Sequence, residues 1–424
     1  MKISRILTRA LSLVAACSMS LGMVGCLKKD DDGKINAKNL MDGITPRDVS
    51  ELSDITPHNT GAADFALRLF KASAREGENT LISPLSVLYA LSMTANGAEK
   101  ETLAEMESVL GMRTGELNEY LYSYMKNLPQ GEKYKLSVAN SIWFRDDDRF
   151  TVNGDFLQTN ADYYKADIYK APFDDSTLKD VNNWVNGKTD GMIPEILDQI
   201  SDQSIMLLVN ALAFDAEWID PYTKDQVRDG KFTKEDGTKQ DASFMYGYED
   251  SYIQDENAIG FVKYYSGAKY AFVALLPNEG VSVSDYVSTL DGEKVLRLLS
   301  SQKGADVSTA IPKFEIEYDV EMSKILQNMG MKEAFDGDKA DFGKLGSSEA
   351  GNIYISRVIH KTFISVGEKG TRAGAATVVD MVESCMPMPQ ERKVVILDRP
   401  FVYMLVDCEN NLPFFIGTMM DVGN

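Results

Sequence analysis

Apolar residues along this chain follow two different periods, and the balance between them shifts from one end to the other. Ala62, Phe65, Ala66, Leu69 and Phe70 recur at helical spacing and predict an amphipathic first helix. Ser83 before Pro84 predicts a second, with the serine as N-cap and the proline in the first turn. Leu85, Leu88, Leu91 and Ser92 continue one face of it, and Asn96-Gly97 ends it. Met322, Ile325, Leu326 and Met329 repeat the spacing, with Gly330 as the stop. Ala271 to Leu276 is instead a short continuous apolar run closed by Pro277-Asn278, as in a buried strand. Segments 353–366, 393–397, 401–406 and 412–416 are rich in Ile, Val, Phe and Tyr and predict further strands. Helices dominate early and strands late, which predicts an α+β fold. No linker interrupts the chain after Thr60, so one large domain is expected over 58–424.

The N-terminus reads as a targeting segment. Lys2, Arg5 and Arg9 precede an almost wholly small or apolar run from Ala10 to Gly25, which is short for a membrane span and suits a secretory signal. The run stops at Met23-Val24-Gly25-Cys26, and charge begins at Lys28. Small residues before a cysteine resemble a bacterial lipobox. Val14-Ala15-Ala16-Cys17 is a rival, but apolar sequence continues past it, so Cys26 is preferred. An ordinary signal peptide with an incidental cysteine is the alternative. The expectation is a signal peptide over 1–25, lipidation of Cys26, and a polar acidic tether over 26–57 that carries Pro46 and Pro57. The Lys28-Lys29-Asp30-Asp31-Asp32 tract resembles the acidic export tags of some surface-displayed lipoproteins, though a solvated linker has the same composition. An exported protein, lipid-anchored to the outer membrane and facing the cell surface or the periplasm, is the expected location.

Composition narrows the chemistry. The 424 residues carry 64 acids against 44 bases, a net charge of −20, so a nucleic-acid partner is not expected. Two histidines and four cysteines leave little material for metal sites or disulfides, and no metal or cofactor is expected. No G-x-S-x-G, H-E-x-x-H, Walker A, G-x-G-x-x-G or C-x-x-C motif occurs. His58 falls at the end of the tether, and His360 shares a strand face with Val358, Thr362, Ile364 and Val366, which points it inward as a buried structural histidine. No nucleophile–base pair can be assembled, so catalytic residues are not expected and the chain does not read as an enzyme.

The informative segment is 368–386. Read with period two, Thr371, Ala373, Ala375, Thr377, Val379 and Met381 share one uncharged face, while Arg372 and Asp380 fall on the other. That is the pattern of a strand able to bury one side. Gly370 and Gly374 equally allow a mobile loop.

The segments flanking this stretch resemble the serpin family, and the resemblance spans essentially all of 60–424. It is carried by Asn79-Thr80-Leu81-Ile82-Ser83-Pro84-Leu85-Ser86, by Leu208-Val209-Asn210-Ala211 through Trp218, and by Ile311-Pro312-Lys313-Phe314. Met329-Gly330-Met331, Ala334-Phe335 and Ala340-Asp341-Phe342 also fit, as do His360-Lys361, Gly367-Glu368-Lys369-Gly370-Thr371, Asp398-Arg399-Pro400-Phe401 and Phe414-Phe415-Ile416-Gly417.

The resemblance implies helices on a large central mixed sheet, two smaller sheets and an exposed reactive loop, here about 368–392. It implies a suicide-substrate inhibitor: a protease cleaves the loop, forms an acyl-enzyme, and is trapped as the loop inserts into the central sheet. The family pattern makes Glu368, Gly370, Thr371, Ala373, Ala375, Ala376 and Thr377 the hinge, and Ser384–Cys385 the reactive bond. Glu383–Ser384 and Cys385–Met386 are the alternatives. Ser83, Ser86, Asn210 and His360 match the polar cluster under the sheet that controls its opening, and Trp218 matches the residue where the loop enters. No Lys or Arg occurs from 373 to 391, so a monomer acting on elastase-, subtilisin- or papain-like serine or cysteine proteases is expected, not on trypsin-like ones. A non-inhibitory member acting as carrier or chaperone is the alternative, disfavoured by the small uncharged hinge.

Overall fold

The structure is a computed structural model and describes residues 33–201, 203–349, 351–371 and 392–423. In chain order the first elements are β1 (Lys38–Asn39), α1 (Thr56–Ser73), β2 (Thr80–Ile82), α2 (Pro84–Ala95), α3 (Lys100–Leu110) and α4 (Thr114–Lys126). They lead to β3 (Tyr134–Arg145), β4 (Phe150–Val152), α5 (Gly154–Tyr164), β5 (Asp167–Ala171) and α6 (Asp175–Lys188). Strands then take over, with β6 (Met206–Glu217), β7 (Val227–Thr233), β8 (Lys239–Gln254), β9 (Ala258–Tyr264) and β10 (Tyr270–Pro277). Two short helices follow, α7 (Val283–Ser288) and α8 (Gly292–Ser300), then β11 (Lys303–Pro312), β12 (Phe314–Glu321) and α9 (Ser323–Met329). The chain ends with β13 (Gly346–Ser348), β14 (Arg357–Gly367), β15 (Gly370–Thr371), β16 (Lys393–Ile396), β17 (Phe401–Asp407) and β18 (Leu412–Met419).

The strands form three sheets. The central one has the order β1-β5-β3-β6-β15-β14-β12, and below β15 the strands β6 and β14 pair directly and in parallel. A second sheet runs β16-β11-β8-β9-β10-β17-β18-β2, with β7 on β8, and β13 with β4 makes a small third. Helix α2 lies between the two large sheets, packed on β3, β6 and β18. Its start is as the sequence predicts: the Ser83 hydroxyl accepts from the Ser86 N–H, and Pro84 occupies the first turn. It is apolar nearly all round because both sides are covered. β10, β17 and β18 are buried along their whole length, which is why their sequences run apolar without alternation. A second apolar cluster, with Trp143, Trp184, Leu207, Val209 and Ile359, seals α6 onto the outer face of the central sheet.

Three expectations are corrected. Residues 33–57 are not a free tether. The Asn36 and Ala37 N–H groups both donate to Asp180 Oδ2 on α6, at 2.9 and 2.7 Å. β1 then adds to the edge of β5, and the Arg47 guanidinium grips the buried Asp162 at 2.6 and 2.9 Å. His58 is likewise not in a tether: it sits in the first turn of α1, its ring stacked on Tyr120 at 5.7 Å. The strand expected over 353–366 begins at Arg357. Cys26, Ala373, Ala375, Ala376, Thr377, Glu383, Ser384, Cys385 and Met386 lie outside the described residues.

A candidate seam for strand insertion

The central sheet has a line of weakness between β6 and β14. From Arg357↔Leu207 to Thr362↔Leu212 the two strands pair in parallel. At the far end β15 intervenes, antiparallel to both: Gly370 faces Gly367 and Glu217, and Thr371 faces Val366 and Ala216. Among the described residues no ladder pair joins 213–215 to 363–365, so the seam is open between its two ends.

The closed end is held by the four residues named as a polar cluster. All are fully buried, on the inner face of the sheet, where α2 begins. The Ser83 N–H donates to His360 Nε2 at 3.0 Å. Since Nε2 is therefore an acceptor, the proton sits on Nδ1, which meets Asn210 Oδ1 at 2.5 Å. The Ser86 hydroxyl donates to Asn210 Oδ1 at 3.3 Å or to the Ser83 carbonyl at 3.1 Å. Burial pushes His360 from 6.5 down to about 3, so the imidazole is neutral, as both contacts require. The pair bridges the seam, because His360 and Asn210 are register partners on β14 and β6. Two residues further along β14, the Thr362 hydroxyl donates to the Leu81 carbonyl at 2.9 Å and ties β14 to β2.

The open end is organised around Trp218, which is buried there. Its indole N–H donates to the Gly367 carbonyl at 2.9 Å, and its backbone N–H to the Lys369 carbonyl at 2.8 Å. Glu368 lies beside Lys313, at 2.8 Å, and this contact holds its carboxyl below the usual range. Sequence reasoning missed three residues here. Tyr265 stacks on Trp218 with centroids 4.3 Å apart, and its hydroxyl meets that of Thr371 at 2.5 Å. Lys263 lies over Trp218 and Tyr222, at 5.3 and 4.5 Å from the ring centres, and pairs with Glu249 at 2.8 Å. Burial raises the Glu249 carboxyl despite that partner. The missing signal was the reversal after β9: Tyr265 lies just past the strand, and alternation within Lys263-Tyr264-Tyr265 does not say which tyrosine turns inward.

Gly370 is not the swivel that its type suggests. Its φ is +156°, and a Cβ there would lie 1.9 Å from the Ala216 carbonyl oxygen. Glycine is needed for β15 to approach β6 this closely.

The outer face of the seam is covered by α6 and the connection that follows it. Asn182 staples that connection to the helix, accepting from the Ile196 and Leu197 N–H groups at 2.9 and 3.0 Å and donating to the Leu197 carbonyl at 2.8 Å. Beneath the connection lies a cavity of about 320 Å³ lined by Asp198, Asp319, Arg357 and Lys361.

Comparison with known proteins identifies this architecture. The family model described as "Serpin (serine protease inhibitor)" matches residues 60–422. The human leukocyte elastase inhibitor is 27% identical over 374 residues, covering 83% of this chain and 96% of the relative. The crystal structure of tengpin, a thermophilic serpin, in its native state superposes with a TM-score of 0.87 at 51% identity, covering 91% of this chain and 100% of that one. Its latent-state structure gives 0.77 at 48% identity, covering 89% and 100%.

Proposed function

Because the chain belongs to the serpin family, we propose that it inhibits serine or cysteine proteases as a suicide substrate. In this reading a protease attacks the loop between Thr371 and Arg392, and the acyl-enzyme is carried off as the loop inserts between β6 and β14. The observation that supports it is the hinge: Gly370 and Thr371 already pair with both strands, antiparallel to each. An inserted strand continues that ladder. Each step along the loop moves one step back along both neighbours, so position 377 would fall between Asn210 and His360, two pairs inside the present β6–β14 ladder, which ends at Leu212 and Thr362. The Thr377 hydroxyl would then take up the contact that His360 and Asn210 lose. The Asn210 side-chain NH₂, buried without a partner, is the donor it would meet.

Insertion must separate the paired residues from 207–212 and 357–362 and lift the connection stapled by Asn182. The new strand supplies two ladders in exchange for one, which is the driving force for the change. Inward positions 373, 375, 377 and 379 are Ala, Ala, Thr and Val, so no charge enters the core. The reactive bond is proposed as Ser384–Cys385, with its immediate neighbours as alternatives. The absence of Lys and Arg from 373 to 391 directs the proposal to elastase-, subtilisin- or papain-like targets. Export and anchoring through acylated Cys26 complete it; radiolabelled palmitate should enter the wild-type chain and not Cys26→Ala in a bacterial host.

The test is to mix the chain, begun near Lys28, with a panel of such proteases and run denaturing gels. A heat-resistant complex is expected, with the released C-terminal fragment's mass locating the cut. Cleavage with neither a complex nor a gain in melting temperature would overturn the reading.

A further inference from the structure

Tyr265 has no part in the contacts that identify the fold, yet it touches Thr371, which with Gly370 already pairs inside the sheet. Its ring is held on two sides, stacked on Trp218 at 4.3 Å and edge-on to Phe214 at 5.0 Å. It is fully buried, and its backbone forms an isolated antiparallel bridge with Trp218. The hydroxyl is therefore a fixed point, and it is spent on the Thr371 hydroxyl, itself 1% exposed.

We infer that Tyr265 is a positioning residue that locks the hinge into its insertion register, by holding the Thr371 hydroxyl on the inner face of the sheet between β6 and β14. This rests on the inhibitory reading for its purpose, though not for its geometry. β15 is two residues long, too short to hold a register through its own ladder. The pleat has period two, so a slip of one residue would turn the even-numbered positions, Arg372 first, toward the core. Two side-chain conditions forbid the slip. Gly370 must face the Ala216 carbonyl, where any Cβ would collide, and a hydroxyl must meet Tyr265 at the next position. Gly-Thr satisfies both in one register only. The phenol thus fixes the register from which each following residue would take its face on insertion. A protease would then meet a loop whose first step into the sheet has been taken, and insertion would gain time in its race with deacylation.

The experiment uses Tyr265→Phe, which keeps the ring stack and removes the oxygen, and Thr371→Val, which keeps the shape of the hinge residue. Thr371→Ser, which retains a hydroxyl, is the rescue. Hydrogen exchange is followed on peptides covering 364–371 and 212–218, in parallel with the stoichiometry of inhibition. Both hydroxyl-deleting variants should exchange about 10-fold faster in those peptides, the double variant no faster than either single one, and Thr371→Ser near wild type. The number of inhibitor molecules consumed per protease trapped should rise at least 2-fold in the same variants. Unchanged exchange overturns the inference whether or not the wild type inhibits anything. Faster exchange with unchanged stoichiometry overturns its link to insertion. A wild type that forms no complex with any protease sinks the inhibitory reading alone, and the exchange data still decide whether the register lock exists.

Discussion

Acid should loosen the seam through a single residue. His360 can bridge β6 and β14 only as the neutral tautomer, since Nε2 has to accept the Ser83 N–H while Nδ1–H serves Asn210. Burial depresses its pKa from 6.5 to about 3, so the unfolded chain binds a proton that the folded one refuses. Stability from this group is complete above pH 6.5 and is lost as pH falls from there toward 3, at about 1.4 kcal/mol per pH unit. At about pH 5 the loss is about 2 kcal/mol, or roughly 2–3 °C in melting temperature for a chain of this length. The perturbation is His360→Gln, whose amide can accept from Ser83 and donate to Asn210 without titrating. Its cost at neutral pH is expected to be about 1–2 kcal/mol. Melting curves of both proteins between pH 7.5 and pH 5, subtracted, cancel the carboxylates that titrate in each. The wild type should fall more steeply, and at about pH 5 it should convert faster on standing to a form that no longer reacts with protease. Parallel curves for the two proteins would show that His360 is not the acid-sensitive bridge.

Three further outcomes are expected. Gly370→Ala should expel β15, because its methyl meets the Ala216 carbonyl; the variant should melt within a few degrees of wild type yet be cleaved largely as a substrate, as densitometry of complex against cleaved chain would report. Lys263→Met should cost about 3–5 kcal/mol in chemical denaturation by leaving Glu249 buried and unpaired, and adding Glu249→Gln should recover most of the loss. Asp180→Ala should release Asn36 and Ala37 from α6 and cost about 2–3 kcal/mol, seen as early proteolysis near residue 40 under limited trypsin digestion.

What could be read from the sequence was whatever leaves an anomaly in a pattern. Asn210 interrupts the apolar run Met206-Leu207-Leu208-Val209, and His360 interrupts Val358-Ile359, so each announces a buried polar role that the structure then joins in one network. Ser83 is legible for a different reason, as a cap before proline. The contacts of Asp180 leave no such mark, because its two shorter ones are to backbone N–H groups that almost any residue at 36 and 37 would supply, with only a longer one, 3.4 Å, from the Asn36 side chain. The acidic composition of 26–57 therefore reads as tether, while within 33–57 residues 36–39 and 47 are bound to the domain. Gly370 was legible as special but not in its sense: the same residue type serves freedom and close approach, and only the position of the Ala216 carbonyl tells them apart. Tyr265 is one of nineteen tyrosines, and its meaning depends on a partner 106 residues away.

If the central sheet admits a strand through its middle, as proposed, it has to refuse strands at its rims, and its two rims are finished differently. On one side β1 lies against β5 and occupies backbone groups there, anchored by Asp180 so that it stays in place. On the other, β12 presents Glu315, Glu317, Asp319 and Glu321 to solvent at alternate positions along an unpaired edge. A second copy approaching edge to edge would set like charges side by side, the usual guard of natural sheets against unlimited pairing. Both guards face sideways, and neither obstructs the seam. Strand addition at either rim of the central sheet is thereby disfavoured, which leaves the gap between β6 and β14 as the place among its described residues where the proposed loop strand would be taken up.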